Sequence, residues 1–335
     1  MRQVVGFGKP FPIFVITGGD PFERPDLYEL VRYGRSIGLP VAVSPSGTRL
    51  LNVESLTELQ EAGATAISLS IDGATAEAHD KFRGIPGTFD VTMDGWRIAR
   101  ELGIKVQINT TVTTHNVEQL PEIAALVRDH GAMTWSAFML VPTGRGASLA
   151  APTPAETDDI LNFLYDVGEV VPTRTTEGHH FRRVAIQREL LAAQGRNHVV
   201  ALRLGSLYRF LHSRAVELQM SDPHRHRRAP LIVNSGNGFV FVSHTGDVQP
   251  SGFLPVSAGN VRQTSVSDIY RYSDLFKRLR DRSELGGRCG RCEFVEVCGG
   301  SRSRAYAQTG DPTAEDPLCS YQPGRFDLPV DWLSR

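Results

Sequence analysis

Along the first half of the chain, short apolar runs rich in β-branched side chains alternate with longer stretches of helical periodicity. The runs fall at residues 12–17, 40–44, 65–71, 104–112 and 133–141, and the periodicity predicts helices over 26–37, 53–62, 89–102 and 117–130. Nearly continuous apolar strands alternating with amphipathic helices predict a parallel sheet covered by helices. Five such units fit an α/β barrel or a doubly wound sheet. The punctuation agrees. Asn52 and Asn116 stand where N-caps belong, and Gly38, Gly63, Gly103 and Gly131 stand where left-handed C-caps belong.

A helix with Thr153 or Thr157 near its start should follow the fifth strand, and another is predicted over 181–193. Residues 196–228 are less regular and strongly basic, ending in His224-Arg225-His226-Arg227-Arg228, and read as a linker or insertion. Beyond residue 231 the pattern changes to short strands at 238–243 and 247–249, a His244-Thr245-Gly246 turn and a helix over 266–280. The expected division is a barrel-like part over 1–195, a basic linker or insertion over 196–230, a small domain over 231–325 and a tail over 326–335. At the other end, residues 1–5 before Gly6 look like the last turn of a helix with its C-cap glycine. One turn cannot pay for its own nucleation, and the first strand would leave an unpaired edge. At least one strand and helix are therefore expected before Met1.

Composition narrows the class. The 335 residues are 41% hydrophobic and 22% charged, with a net charge of -1, which gives nothing global to attract a nucleic acid. No apolar run approaches the roughly 18 residues of a membrane span, and the start lacks a secretory signal. A cytoplasmic protein with no membrane and no nucleic-acid partner is expected. The His224–Arg228 run reads as a solvated loop ahead of a metal or nucleic-acid site. Trp96 and Trp135 read as core, His179-His180 either line a pocket or begin a helix, and His244 faces substrate or water.

All four cysteines lie late, at Cys289, Cys292, Cys298 and Cys319. In a reducing compartment such a group binds metal more readily than it forms disulfides. Cys289-Gly290-Arg291-Cys292 puts two thiolates on one turn, Cys298 precedes Gly299-Gly300, and Cys319 closes the set from a distant loop. Four thiolates suit either structural zinc or a 4Fe-4S cluster, and the spacing alone leaves the two about even.

The segment from Cys289 to Gly300, with Ala314-Glu315-Asp316-Pro317-Leu318-Cys319 downstream, resembles the C-terminal SPASM domain of radical S-adenosylmethionine enzymes. The resemblance implies that these four cysteines hold one auxiliary 4Fe-4S cluster. The ligands of a further auxiliary cluster are not matched: Ser251 and Arg302 stand at cysteine places, as in a reduced, twitch-like arrangement. Upstream, Thr17-Gly18-Gly19-Asp20-Pro21 is by itself an ordinary turn pattern, but here it resembles the family's Gly-Gly-Glu-Pro motif. That likeness implies that Gly18, Gly19 and Asp20 meet the amino group of S-adenosylmethionine. Ser68-Leu69-Ser70-Ile71-Asp72-Gly73 resembles the Ser-x-Asp-Gly element near the cofactor, which brings in Ser70 and Asp72. Arg83, in His79-Asp80-Lys81-Phe82-Arg83-Gly84, meets either the methionyl carboxylate or Asp72. Asn109 meets the ribose or caps its strand, and Pro142–Gly146 lies where adenine-contacting backbone is expected.

The implied fold is a partial (βα)6-type radical SAM barrel with a small C-terminal iron–sulfur domain. The implied chemistry is reductive cleavage of S-adenosylmethionine to a 5′-deoxyadenosyl radical, which modifies a peptide, tetrapyrrole or other small-molecule substrate. The resemblance also implies an electron donor such as flavodoxin or ferredoxin. Family members carry C-x3-C-x2-C after the first barrel strand for the radical-generating cluster, and no cysteine here precedes Cys289. That second 4Fe-4S cluster is expected only with an additional N-terminal segment, and the chain as written is expected to be inactive. The other readings are a non-catalytic iron–sulfur relay or peptide-binding protein, and a zinc-stabilised binding module.

Overall fold

The computed structural model describes residues 1–222 and 229–330, apart from the side chain of Arg145. The His224–Arg228 run, with its solvated-loop reading, and residues 331–335 lie outside the described residues. Two compact units are formed: Met1–Thr111, Gln119–Ala137 and Val170–Arg174 make the first, and Val112–Glu118, Phe138–Glu169 and Thr175–Arg335 the second.

After a single turn α1 (Arg2–Val5) come β1 (Phe14–Ile16), α2 (Leu27–Ser36), β2 (Val41–Val43), α3 (Val53–Glu61) and β3 (Ala66–Ser70). Then follow α4 (Ala76–Arg83), α5 (Thr88–Glu101), β4 (Lys105–Val112), α6 (Leu120–His130), β5 (Thr134–Met139), α7 (Pro154–Val167) and β6 (Thr173–Thr176). The six strands stand side by side in sequence order in one open sheet, with β1 to β4 paired in parallel. This is the expected parallel α/β architecture, and the sheet is not closed into a full barrel.

The strands differ from the expectation of apolar residues on both faces. In β3 and β4, Ile67, Leu69, Val106 and Ile108 are buried, while Ser68, Ser70, Gln107 and Asn109 between them are only half-buried. The register sets Ser68 opposite Gln107 and Ser70 opposite Asn109, so the polar residues share one face. The strictly sequential strand order has no point of reversal, which decides against the doubly wound alternative.

Local signals explain most element ends. Asn52 caps α3 by accepting from the Ser55 amide, and Thr153 begins α7 in a capping box with Glu156. Gly38, Gly63, Gly103 and Gly131 all take positive φ after their helices. Trp96 and Trp135 are fully buried. Two caps differ from expectation: Gly6 is right-handed at φ -62, and α6 starts after Gln119, not Asn116, whose side chain accepts from the Thr113 amide.

The second unit continues with α8 (Phe181–Ala193), α9 (His198–Ala201), α10 (Ser206–Glu217) and a two-stranded antiparallel pair, β7 (Phe241–Val242) with β8 (Val248–Gln249). It ends with α11 (Val266–Tyr272), α12 (Asp274–Arg280), α13 (Gly287–Gly290) and α14 (Arg302–Thr309). Two expectations are corrected here. The linker or insertion over 196–230 is not irregular, since it contains α9 and α10, the latter packing on α7, and the helix over 266–280 is broken at Ser273. Ser273 is extended and its side chain accepts from the Phe276 amide, so a cap interrupts the helix.

Candidate functional site

Of the residues singled out in the first unit, Gly18, Gly19, Asp20 and Asp72 lie on the loops that leave the C-terminal ends of β1 and β3, where parallel sheets form ligand sites, while Ser70 and Asn109 lie on β3 and β4 themselves and Arg83 ends α4. Gly18 and Gly19 take φ of +98 and +30, and a side-chain carbon at either would meet nothing within 4 Å. That leaves a bare backbone edge open to a ligand. Asp20 is already engaged. Thr48 Oγ1 donates to one of its oxygens at 2.6 Å, and the amides of Phe22 and Ser46 donate to the other at 3.2 and 3.4 Å. The carboxylate thus ties the loop after β1 to the loop after β2, with lone-pair capacity left for a cation. Nothing in the sequence marked Thr48.

Asp72 is the buried centre of a second group. The Thr111 amide donates to Oδ1 at 2.7 Å, and the Arg83 guanidinium pairs with Oδ2. Of the two partners weighed for Arg83, the pair with Asp72 is therefore the one made. Burial pushes the Asp72 carboxyl above the usual carboxylate range, against the pull of Arg83 and the Thr111 amide. The Asp72 amide donates to Nδ1 of buried His79 at 3.1 Å, and burial, then the Arg83 charge, lowers the imidazole to about 4. Asp80, beside it, accepts from the Phe89 amide at 2.8 Å and from Thr88 Oγ1, holding the start of α5. The segment from His79 to Gly84 is thus a scaffold around Asp72. Asn109 accepts from Gln107 Nε2 at 2.8 Å along the polar face that it shares with Ser70.

Pro142–Gly146 belongs to the second unit, where Gly144–Ser148 form a 3-10 turn. His244 is exposed.

The second unit brings the four cysteines together. Cys289 lies within electrostatic reach of Cys292 and Cys298, and Cys298 of Cys319. Burial pushes the thiols of Cys292 up to about 11 and of Cys298 and Cys319 to about 12. The distant loop is stapled in place: Arg288 makes a fork with Glu315 at 3.1 and 3.0 Å and donates to the Cys319 carbonyl at 2.8 Å. Backbone donors point at sulfur, from Gly300 to Cys298 and from Asp316 to Cys289, both at 3.4 Å. A Cβ on Gly300 would lie 3.1 Å from the Cys289 sulfur and 2.8 Å from the Arg302 guanidinium, so only glycine fits. Among the described residues, no three His, Cys, Asp or Glu side chains converge tightly enough to hold a single ion.

The two places without cysteine have their own roles. Arg302 is fully buried and donates to the Pro312 and Ala314 carbonyls and, at 3.7 Å, to the Cys289 sulfur. Ser251, Ser301 and Ser303 all donate to the carboxylate of Glu177. His180 begins α8 and bonds Asp316 at 3.1 Å, and Arg304 grips the same carboxylate with 2.9 and 3.0 Å contacts. The His179-His180 pair is thus both a helix start and part of a buried polar network. Glu177 carried no sequence signal, because the three serines that donate to it are more than seventy residues away and only His179 is near in sequence.

A model of the radical SAM superfamily matches residues 2–127. The AdoMet-dependent heme synthase of Oleidesulfovibrio alaskensis is 39% identical over 317 residues, covering 93% of this chain and 75% of that protein. The AdoMet-dependent heme synthase of Methanosarcina barkeri is 38% identical, covering 96% of this chain and 86% of that protein. Among solved structures, Streptococcus suis SuiB bound to precursor peptide SuiA has a TM-score of 0.65 at 16% identity, covering 96% of this chain and 67% of that one. Among the described residues, no helix is long and apolar enough to cross a membrane.

Proposed function

The chain belongs to the radical SAM superfamily, and we propose that it binds S-adenosylmethionine on the first unit, one 4Fe-4S cluster on the second, and a tetrapyrrole as substrate. The observation that carries the reading is that the Gly18–Asp20 loop and Asp72 follow β1 and β3 at the same end of one parallel sheet, with the half-buried pair Ser70 and Asn109 on the polar face of β3 and β4. The open glycine edge suits the methionyl backbone atoms, and the spare lone pairs of Asp20 suit the ammonium. Asp72, Arg83 and His79 keep the next loop rigid, and Ser70 and Asn109 offer hydrogen bonds to the ribose.

Cys289, Cys292, Cys298 and Cys319 would hold the cluster, which supplies one-electron chemistry when bound. The donor set fits it. Four thiols, sulfur-directed amides and a glycine cradle are present. A tetrapyrrole is favoured over a peptide because relatives at 38–39% identity are named for heme synthesis. All four cysteines of the sequence lie in this one set. The 335-residue chain is therefore expected to bind S-adenosylmethionine without cleaving it.

Anaerobic reconstitution tests this. The expected result is about four iron and four sulfide per chain, binding of S-adenosylmethionine and of an iron tetrapyrrole by calorimetry, and no 5′-deoxyadenosine. One zinc with no sulfide, or no heat with S-adenosylmethionine, would sink the proposal.

A further inference from the structure

We infer that Arg183, held by Asp158, sets the reduction potential of the cluster at Cys289, Cys292, Cys298 and Cys319, so that removing each partner's charge shifts that potential in opposite directions. The inference rests on the cluster reading above and goes beyond it by naming what tunes the group.

The geometry singles out this pair. Arg183 lies on α8 and Asp158 on α7, with side chains 6% and 18% exposed. One Arg183 nitrogen pairs with Asp158, another donates to Gln187 at 2.9 Å, and Nε is buried with no hydrogen-bond partner. The guanidinium lies 4.8 Å from the centre of the Tyr321 ring, two residues after Cys319. Ser320, between them, donates to the other oxygen of Asp158. The pair is thus built into the loop that delivers the fourth thiol. Cys292, Cys298 and Cys319 each feel the charge of Arg183, so three of the four proposed ligands share it.

Arg282 also feels the charge of Cys298 and has a buried nitrogen without a hydrogen-bond partner, but the charge it feels most is that of Glu296, and three further arginines are differently committed. Arg288, like Arg183, pairs with a carboxylate, but that pair is a quarter and two-fifths exposed, so solvent screens its charge, and Arg182 spends its donors on the Val297 and Val233 carbonyls and on His179. Arg302 bonds three carbonyls and one sulfur.

A guanidinium stays charged at every working pH. Reduction adds one electron to the cluster and makes it one unit more negative, and a fixed buried cation stabilises that product. Asp158 opposes the effect through the same space. A residue that only holds the loop would give no such pair of opposite signs.

The test uses the full chain, reconstituted anaerobically and titrated with dithionite as the one-electron donor, with the cluster followed by absorbance and electron paramagnetic resonance. Arg183→Met should lower the reduced-to-oxidised ratio at fixed potential by about tenfold or more, which is roughly 59 mV for one electron. Asp158→Asn should raise it, and Arg183→Lys should return most of the wild-type value. Unchanged potentials, or shifts of the same sign in both charge-removing variants, overturn the inference while leaving the cluster in place. If Arg183→Met does not assemble, Asp158→Asn and Arg183→Lys decide between the same outcomes. A wild-type chain with zinc and no sulfide removes the cluster reading, and this inference falls with it; the iron and sulfide assay separates that failure from the others.

Discussion

A methyl group on Gly73 would place a carbon 2.5 Å from the amide nitrogen of His79 and 2.8 Å from the carbonyl carbon of Ala78. Both contacts are backbone, so relief requires moving the first turn of α4 away from the Asp72 loop. Gly73→Ala is expected to cost about 1–3 kcal/mol, read as a lower urea midpoint, and to weaken S-adenosylmethionine binding. A wild-type midpoint would show that the approach is not tight. The same loop carries a pH dependence. Folded His79 resists protonation down to about 4, while its ordinary value is 6.5. The unfolded chain therefore takes up the extra proton first, and stability, full above pH 6.5, declines as pH falls towards 4. His79→Gln keeps an acceptor for the Asp72 amide without titrating. Its stability should be flatter than wild type across that window, by about 1–3 kcal/mol, in urea unfolding at a series of pH values. A parallel profile would exclude His79 as the cause. Asp72, whose carboxyl is raised, pulls the other way in both proteins and largely cancels in the comparison. Asp72 and Arg83 were legible because their motifs carry chemistry. His79 and Thr48 were not, because a hydrogen bond to a neighbouring loop leaves no trace in local spacing.

The strands and most helices of the first half were legible for a local reason: apolar period and capping residue coincide, as at Asn52 before α3. The elements that escaped have causes elsewhere in the chain. In α10, Tyr208, Leu211 and Ala215 are buried at helical spacing, a signal masked by the basic residues around them. Its N-terminal amides are satisfied by Asp159 of α7, which accepts from Gly205 at 2.7 Å and Tyr208 at 3.2 Å across more than forty residues of sequence. A Cβ at Gly205 would come within 2.5 Å of that carboxylate. The cap is thus supplied in trans by another helix. Asp159→Ala is expected to cost about 1–2 kcal/mol. Hydrogen exchange should locate the loss, with faster exchange over 205–217 and no change within α7. Uniform acceleration of both helices would instead mean that Asp159 supports their packing and not the α10 terminus. The break at Ser273 has the converse origin, since a serine that reads as neutral inside a helix captures an amide and ends one.

At the scale of the whole molecule, the two sites rest on unlike foundations. The first unit has a sheet whose buried face, with Val41, Val43, Ile67, Leu69, Val106 and Ile108, supplies a continuous apolar core. The part of the second unit beyond Leu231 has two strands of two residues each, and its longest helix, α14, has eight. Order there is kept by polar staples such as Arg288–Glu315 and Arg304–Asp316, and by whatever joins the four cysteines. Where regular structure is scarce, the free energy of binding a metal group becomes the free energy of local folding. Stripping the proposed cluster with ferricyanide and a chelator should therefore act locally. Amides over 287–300 and 315–319 are expected to exchange about tenfold faster or more, equivalent to a loss of roughly 1.4 kcal/mol of local stability. Those of β2, β3 and β4 should keep their protection, and S-adenosylmethionine should still bind, since Asp20, Asp72 and Asn109 find their partners within the first unit. The staples set the lower bound of the effect. If exchange over 287–319 does not change, the arginine–carboxylate pairs suffice to hold the thiols in place, and the cluster contributes nothing to the order of its own site. If β2 to β4 open as well, the apolar core is not the independent foundation that its burial indicates.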